Sequence, residues 1–417
     1  MQRKLAQKAL NTSYYVFFSL VIMQSLRPIN SSGVYGILDN MANELNITIN
    51  QAQQSIVSPF LFGLIFGQFM VGPLSDRFGR VNIFIIFLNI YAIFCLLCGI
   101  GDSNNFLWIF RVLSGLTAAI GEISVMAIIN DFCTLEKGSK LYSKISGAAG
   151  IIIGLTPLGL NIAAQQLGWR SYFTINAIVC CTVSAIASYL IFALGSKINK
   201  QALSLSSIKQ NFKYTLGNPM YQRFCFMYLV TMVIYELVFV LSPIMLLEKL
   251  HVSQFEYTII VGVVVGIMIF ASANLNASLL QRYSPVSISF VTILTALVCA
   301  VAQVFIFSLS NEMLEHIGYV ALFCIMIASC NILTINFFVL ATQSSPGKDC
   351  GGFVSSLTIS IGSVGLVIGI QLIAFFDIKS IISAYIDLSI LIAATVLYML
   401  LNYQKILKDC VAISHRK

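Results

Sequence analysis

Twelve apolar runs, each long enough to cross a lipid bilayer, recur from end to end of this chain of 417 residues. A crossing helix needs roughly 20 apolar residues, because the hydrocarbon core is about 30 Å thick and a helix rises about 1.5 Å per residue. The runs fall near 14–36, 52–72, 82–101, 106–130, 142–166 and 169–194, then near 221–247, 255–280, 286–309, 317–342, 352–375 and 380–403. With no water in the hydrocarbon, each backbone N–H and C=O must be satisfied inside its own segment, so the runs are predicted to be helices. Composition agrees. Hydrophobic residues make up 58% and charged residues 10%, with a mean hydropathy of +0.89. A soluble domain carries about 25% charge, so this chain lacks the polar residues to cover a water-facing surface.

One sizeable polar segment, Gly195 to Met220, separates the sixth run from the seventh and carries Lys197, Lys200, Lys209 and Lys213. Residues 1–194 and 221–417 then form two matched sets of six, joined by a linker over 195–220, a pattern that reads as an internal duplication. The net charge of +8 does not point to nucleic acid, because the basic residues sit at the ends of apolar runs. Their asymmetry sets orientation. With the N-terminus inside, only Arg170, Lys249 and Lys379 lie outside, Arg27 and Arg111 fall within spans, and the remaining lysines and arginines are cytoplasmic. Both termini are therefore expected on the cytoplasmic side of a bacterial inner membrane. The first run is too long for a cleaved signal peptide, contains Arg27, and is followed by no small-residue cleavage pattern.

The loop after the second run reads Gly72-Pro73-Leu74-Ser75-Asp76-Arg77-Phe78-Gly79-Arg80. Glycines here permit a tight turn and close backbone approach, and Asp76 suits a helix N-terminus or the arginines. The string resembles the signature loop of the major facilitator superfamily, which implies an all-α membrane fold of about twelve helices in two six-helix bundles. In that family the loop, here Gly72, Asp76, Arg77, Gly79 and Arg80, latches the inward-closed state without touching substrate. Its counterpart around Asn274 to Tyr283 is degraded. Phe62-Gly63-Leu64-Ile65-Phe66-Gly67-Gln68 and Arg111-Val112-Leu113-Ser114-Gly115-Leu116, the latter span ending at Asn130-Asp131-Phe132, are similar to the bicyclomycin/chloramphenicol-resistance (Bcr/CflA) group of drug:proton antiporters. Gly154, Pro157 and Gly159 give a weak form of the antiporter motif.

A guanidinium in an apolar span is expensive and normally has a partner or a task. The resemblance implies that Arg111 takes part in proton coupling; the alternative is a structural charge paired to a neighbouring helix. The group's first-span aspartate is missing, since its place falls on Ser32. Glu122 and Glu236 are the acids expected to replace it, because a carboxylate in low dielectric has a raised pKa and can load and release protons near neutrality. On a continuous helix, Glu122 would return to within about 20° of the Arg111 face, roughly 16 Å away. Either glutamate could instead be a buried partner of Arg27 or Arg111. Asp387 is read as peripheral. Arg27 and Arg111 together could favour an anionic substrate by Coulomb attraction, or could simply neutralise the glutamates. Tyr35, Tyr235 and Asn336 are candidates to line a substrate cavity, against the default of packing and helix bridging.

The expected function is secondary active transport: proton-coupled efflux of drugs or small metabolites, as the resemblance implies. The alternative is proton-coupled import of a nutrient, siderophore or organic anion. A membrane sensor or an enzyme fits less well, for the sequence has no soluble signalling domain and no nucleophile–base constellation. The eleven cysteines lie mostly within apolar runs, without the histidine spacing of a metal site. No nucleotide-binding G-x-x-x-x-G-K-S/T loop occurs. No cofactor is expected beyond the proton gradient as energy source, and the expected partners are a small-molecule substrate and the bilayer. Neither nucleic acid nor an obligate protein partner is expected, and the chain is read as a monomer.

Overall fold

A computed structural model of the chain describes residues 14–32, 34, 37–194, 199–306, 312–345, 351–375 and 381–414. Each predicted span is met by helix. In chain order these are α1 (Tyr14–Ser32), α2 (Leu38–Leu45), α3 (Ile49–Phe78), α4 (Arg80–Ile100), α5 (Asn104–Ala118), α6 (Ile120–Phe132), α7 (Leu135–Leu167) and α8 (Arg170–Leu194). There follow α9 (Leu205–Leu216), α10 (Pro219–Pro243), α11 (Gln254–Ile259), α12 (Val265–Leu279), α13 (Pro285–Ile306), α14 (Glu312–Ser344), α15 (Gly351–Phe375) and α16 (Ile381–Ser414). Among the described residues, nine helical stretches are long and apolar enough to cross a membrane. Helices α1, α7 and α8 occupy the other three predicted positions. The short helices α2 and α9 were not read from the sequence, because neither carries an apolar run of crossing length.

Helix ends follow local chemistry. Thr48 opens α3 with a capping box, its hydroxyl accepting from the Gln51 N–H at 3.2 Å while the Gln51 side chain accepts from the Thr48 N–H at 2.9 Å. Ser253 and Glu256 open α11 in the same way. These reciprocal bonds satisfy orphan donors of the first turn. Three spans are not regular α-helix throughout. The fourth breaks at Ala119, between α5 and α6, and the seventh and eighth carry π-helical segments at Ile244–Lys249 and Ile260–Val264.

The spans are apolar on every face, as lipid-immersed helices are. On α4 the exposed positions Ile86, Ile93 and Ile100 repeat every seven residues, while Phe84, Leu88, Tyr91 and Cys95 are buried. On α13 the same spacing exposes Val291, Val298 and Phe305. Such apolar stripes would be a liability in water and suit acyl chains.

The described residues fall into two compact units. One draws on 1–133, 152–214 and 347–360, the other on 134–151, 215–346 and 361–417. In the first, α3 packs along α5, α4 along α8 and α1 on α6. Backbone approach is close there: a Cβ at Gly67 or Gly115 would strike the carbonyl of Leu116 or Phe60, the small-residue packing that brings membrane helices together. In the second unit, α10, α12 and α13 pack on α14, and α13 also on α16. Three boundaries cut a helix: the short α9 at 214/215, and the long α7 at 151/152 and α15 at 360/361.

Candidate functional site

The signature loop lies at the junction of α3 and α4. Gly79 ends one helix and starts the next with φ 95° and ψ 140°, a region reserved almost entirely for glycine. The tight joint turns Asp76 and Arg80 toward the first turn of α15, within the same compact unit. The Gly352 N–H donates to Asp76 Oδ1 at 3.0 Å and the Phe353 N–H to Oδ2 at 2.8 Å. The first N–H groups of a helix have no intrahelical partner, and the helix dipole adds partial positive charge. One carboxylate thus caps two orphan donors.

Arg80 forms an ion pair with Asp76, and its Nε donates to Asp131 Oδ2 at 3.3 Å. Its Nη1 donates to Ser75 Oγ at 3.0 Å, and that hydroxyl donates on to the Gly72 carbonyl at 2.9 Å. All three charged groups are buried. Gly352 has no room for a side chain, since a Cβ there would sit 2.6 Å from Ser75 Oγ and 2.8 Å from the Gly72 oxygen. The linker adds one strand of support: the Asn199 N–H donates to the Asp76 carbonyl at 2.8 Å. Of the five loop residues singled out, Gly72, Asp76, Gly79 and Arg80 shape this cluster. Arg77 does not join it through any contact described; its guanidinium lies 5.8 Å from the Phe78 ring centroid.

Arg111 is 1% exposed in α5. Its Nε donates to the Ile56 carbonyl at 2.8 Å, and its guanidinium lies 4.5 Å from the Phe60 ring centroid and 5.6 Å from that of Phe173. A carbonyl dipole and two ring faces offset part of the cost of burying the charge. Glu122 is half-buried in the first turn of α6. Ala119, a one-residue interruption that keeps helical dihedrals of φ −57° and ψ −21°, lies between the two. Beside the break, Tyr91, Thr117, Ala118 and Ile120 line a void of about 10 Å³, room for one water at most.

Glu236 is half-buried on α10, and its Cβ would lie 3.1 Å from a Cβ on Gly369 of α15. Tyr235 stacks at a tilt on Phe239 with centroids 4.9 Å apart. Asn336 is fully buried and hydrogen-bonded to Asn276 and Ser289. Gly154 is buried and Gly159 exposed with open space around it. The side chains of Arg27 and Pro157, and residue Tyr35, lie outside the described residues. Asp387 is exposed on α16.

Sequence reasoning missed two participants of the loop cluster, Asp131 and the first turn of α15. Asp131 stood in the Asn130-Asp131-Phe132 string, and an acid at the end of an apolar span was the signal that could have found it. The α15 N-terminus gave no comparable signal, because its contribution is backbone. An apolar groove of about 450 Å³ between α13 and α16, lined by Leu297, Val301, Phe305, Ile386 and Ile390, offers almost no polar surface and suits an acyl chain better than a solute.

Residues 20–370 match the Major Facilitator Superfamily. That is most of the chain, and the chain belongs to this family of multi-pass membrane transporters, which are not enzymes. It is 25% identical over 206 residues to the bicyclomycin resistance protein homolog of Haemophilus influenzae, a match covering 48% of this chain and 50% of that protein. It is also 25% identical over 238 residues to the multidrug resistance protein MdtL of Escherichia coli, covering 56% and 59%. The chain thus spans about half the length of these relatives, and both bear out the resemblance to the bicyclomycin-resistance group. The solved fucose:proton symporter of E. coli aligns at a TM-score of 0.66 over 92% of this chain and 98% of that one, with 11% identity. That likeness shows the shared fold.

Proposed function

We propose that this protein exports drugs or small metabolites across a bacterial inner membrane in exchange for protons, with both termini cytoplasmic and 1–194 and 221–417 acting as two repeats joined by the 195–220 linker. The observation that carries the direction is the similarity to the bicyclomycin and multidrug resistance proteins. The buried Arg111 supports coupling, for a charge kept at such cost in a span is worth keeping where its surroundings change. Glu122 and Glu236 are the proposed proton carriers, Arg27 an adjunct, and the Asp76–Arg80 cluster the latch that steadies one state of the cycle. In the reaction a proton moves down its gradient while substrate moves the other way, by alternating access at a midplane site.

The test is transport in proteoliposomes under an imposed pH gradient, screening lipophilic cations such as ethidium against organic anions. Export driven by inward protons is expected, and abolished coupling in the Glu122→Gln, Glu236→Gln double variant. Intact proton-driven transport in that variant would remove both glutamates from the role. A second reading, proton-coupled import of a nutrient, siderophore or organic anion, is favoured by Arg27 and by the missing first-span aspartate, whose place falls on Ser32. Solute and protons moving in the same direction would select it.

A further inference from the structure

Charges within a membrane span are expensive, and almost all of them face the interior of the helix bundle. Asp387 does not. It lies on α16 one turn past Ser383, where that helix's apolar span begins, and it is exposed among the apolar residues Ile386, Ile390 and Leu397. One turn is roughly 6 Å, too deep for the short arm of an aspartate to reach back to the interface as lysine and arginine do. Among the described residues none forms a hydrogen bond or ion pair with its carboxylate. Beside it runs the apolar groove of the same compact unit. Val301, Val304 and Phe305 of α13 face Ser389, Ile390 and Ala393 of α16 across about 450 Å³, within the range of small-molecule sites. The space has a local cause: the small Ser389 and Ala393 stand opposite larger side chains, whereas toward the other end the rings of Phe290 and Tyr403 bridge the two helices with centroids 5.4 Å apart. The Ser389 hydroxyl donates to the Tyr385 carbonyl at 2.7 Å, and the remaining walls are hydrocarbon. Asp387 follows the lining residue Ile386 and lies about 60° round the helix from the lining residue Ile390, which sets the acid at the rim.

We propose that this groove and Asp387 form a lateral binding site for a single-chain amphiphile with a cationic head, an alkylammonium ion, whose chain lies in the groove while its ammonium meets the carboxylate. Hydrocarbon against hydrocarbon gives such a ligand no preference for the groove over the surrounding lipid. The preference comes from the head. A carboxylate set below the interface is short of water, and an opposite charge there is attracted more strongly than at a fully wetted surface. The acid therefore selects among chains of equal length: an uncharged head gains nothing at Asp387, and an anionic one is repelled. The lining runs from Leu297 to Phe305 on α13, roughly 12 Å of helix, a length that suits one chain. Being open to the bilayer, the site fills from the lipid phase and needs no change of state of the transporter. It is separate from the midplane site of the transport reading and stands whichever way transport runs.

The test reads occupancy by fluorescence quenching and imposes no gradient, so it can fail without touching the transport reading. Phe305→Trp places a reporter in the groove at little change of volume, and Ile93→Trp places one on the exposed stripe of α4 in the other unit. Both are made in the full chain in lipid nanodiscs, and the parent chain subtracts the native Trp108 and Trp169. The probes are dodecyltrimethylammonium and the uncharged dodecyl glucoside, each brominated in its chain so that it quenches a nearby indole. At position 305 the ammonium should reach half-quenching at a mole fraction about 3- to 10-fold below the glucoside, whereas at 93 the two should match. Adding Asp387→Asn should make the probes equal at 305, and Asp387→Glu should keep the preference. Equal probes at 305 with Asp387 in place would reduce the groove to ordinary lipid-covered surface and overturn the proposal, as would a preference that survives Asp387→Asn. Quenching by neither probe at 305 would mean that protein, such as a second copy of this chain, covers the groove, and would overturn it too. If Asp387→Asn does not fold, the comparison of 305 with 93 decides alone, and an equal ammonium preference at both positions overturns the proposal.

Discussion

The two compact units each hold a helix segment by different chemistry. In the first, the start of α15 is gripped by charge: Asp76 caps two N–H groups, and Arg80 ties it to Asp131. In the second, neutral groups bond to the first half of α7: Asn276 donates to Ser143 and to Asn336. The charged cluster is an all-or-nothing arrangement, since removing one partner strands the others without water. The neutral one loses its parts in small steps. Two buried polar clusters of one chain therefore need not share strength.

The largest effect should come from Asp76→Ala, which leaves Arg80 with a single buried acid and the α15 donors uncapped. Breaking a buried pair from one side costs about 3–5 kcal/mol. Thermal unfolding in detergent and surface expression would read it, and a loss below about 1 kcal/mol would remove the charged cluster from the comparison. Gly79→Ala should follow at about 1–3 kcal/mol, because no L side chain is comfortable at φ 95° and ψ 140°. Asn in its place should do no better, and rescue by Asn would mean that the joint relaxes into the ordinary left-handed region. Asn336→Leu should cost about 1–3 kcal/mol by stranding the Asn276 carboxamide in a dry site. An unchanged melting curve would show that water reaches the pair. The smallest effect is expected at Lys140→Gln, which breaks the exposed Glu136 pair on α7. Exposed i,i+4 pairs are worth about 0.3–0.5 kcal/mol, so a loss above about 1 kcal/mol in thermal unfolding would place the pair in a drier setting than its exposure gives.

The twelve spans were legible because lipid imposes one demand, apolarity over a fixed length, and the sequence states it twelve times. Gly79 was legible for the same local reason: a charged turn between two apolar runs needs a residue free of side-chain constraint. What Asp76 touches was not, since Gly352 lies 276 residues away and offers only its N–H. Asn336 stood out as a polar group in a span, read as a candidate cavity residue. Its bonding to Asn276 on another helix is a matter of packing, which no periodicity reports.

Because Asp76 must wait for a backbone donor so far downstream, synthesis completes one side of this contact long before the other. Until the eleventh crossing segment is inserted, the carboxylate lacks the two N–H groups that it caps in the finished chain. Burial of the pair thus depends on nearly the whole chain having been made.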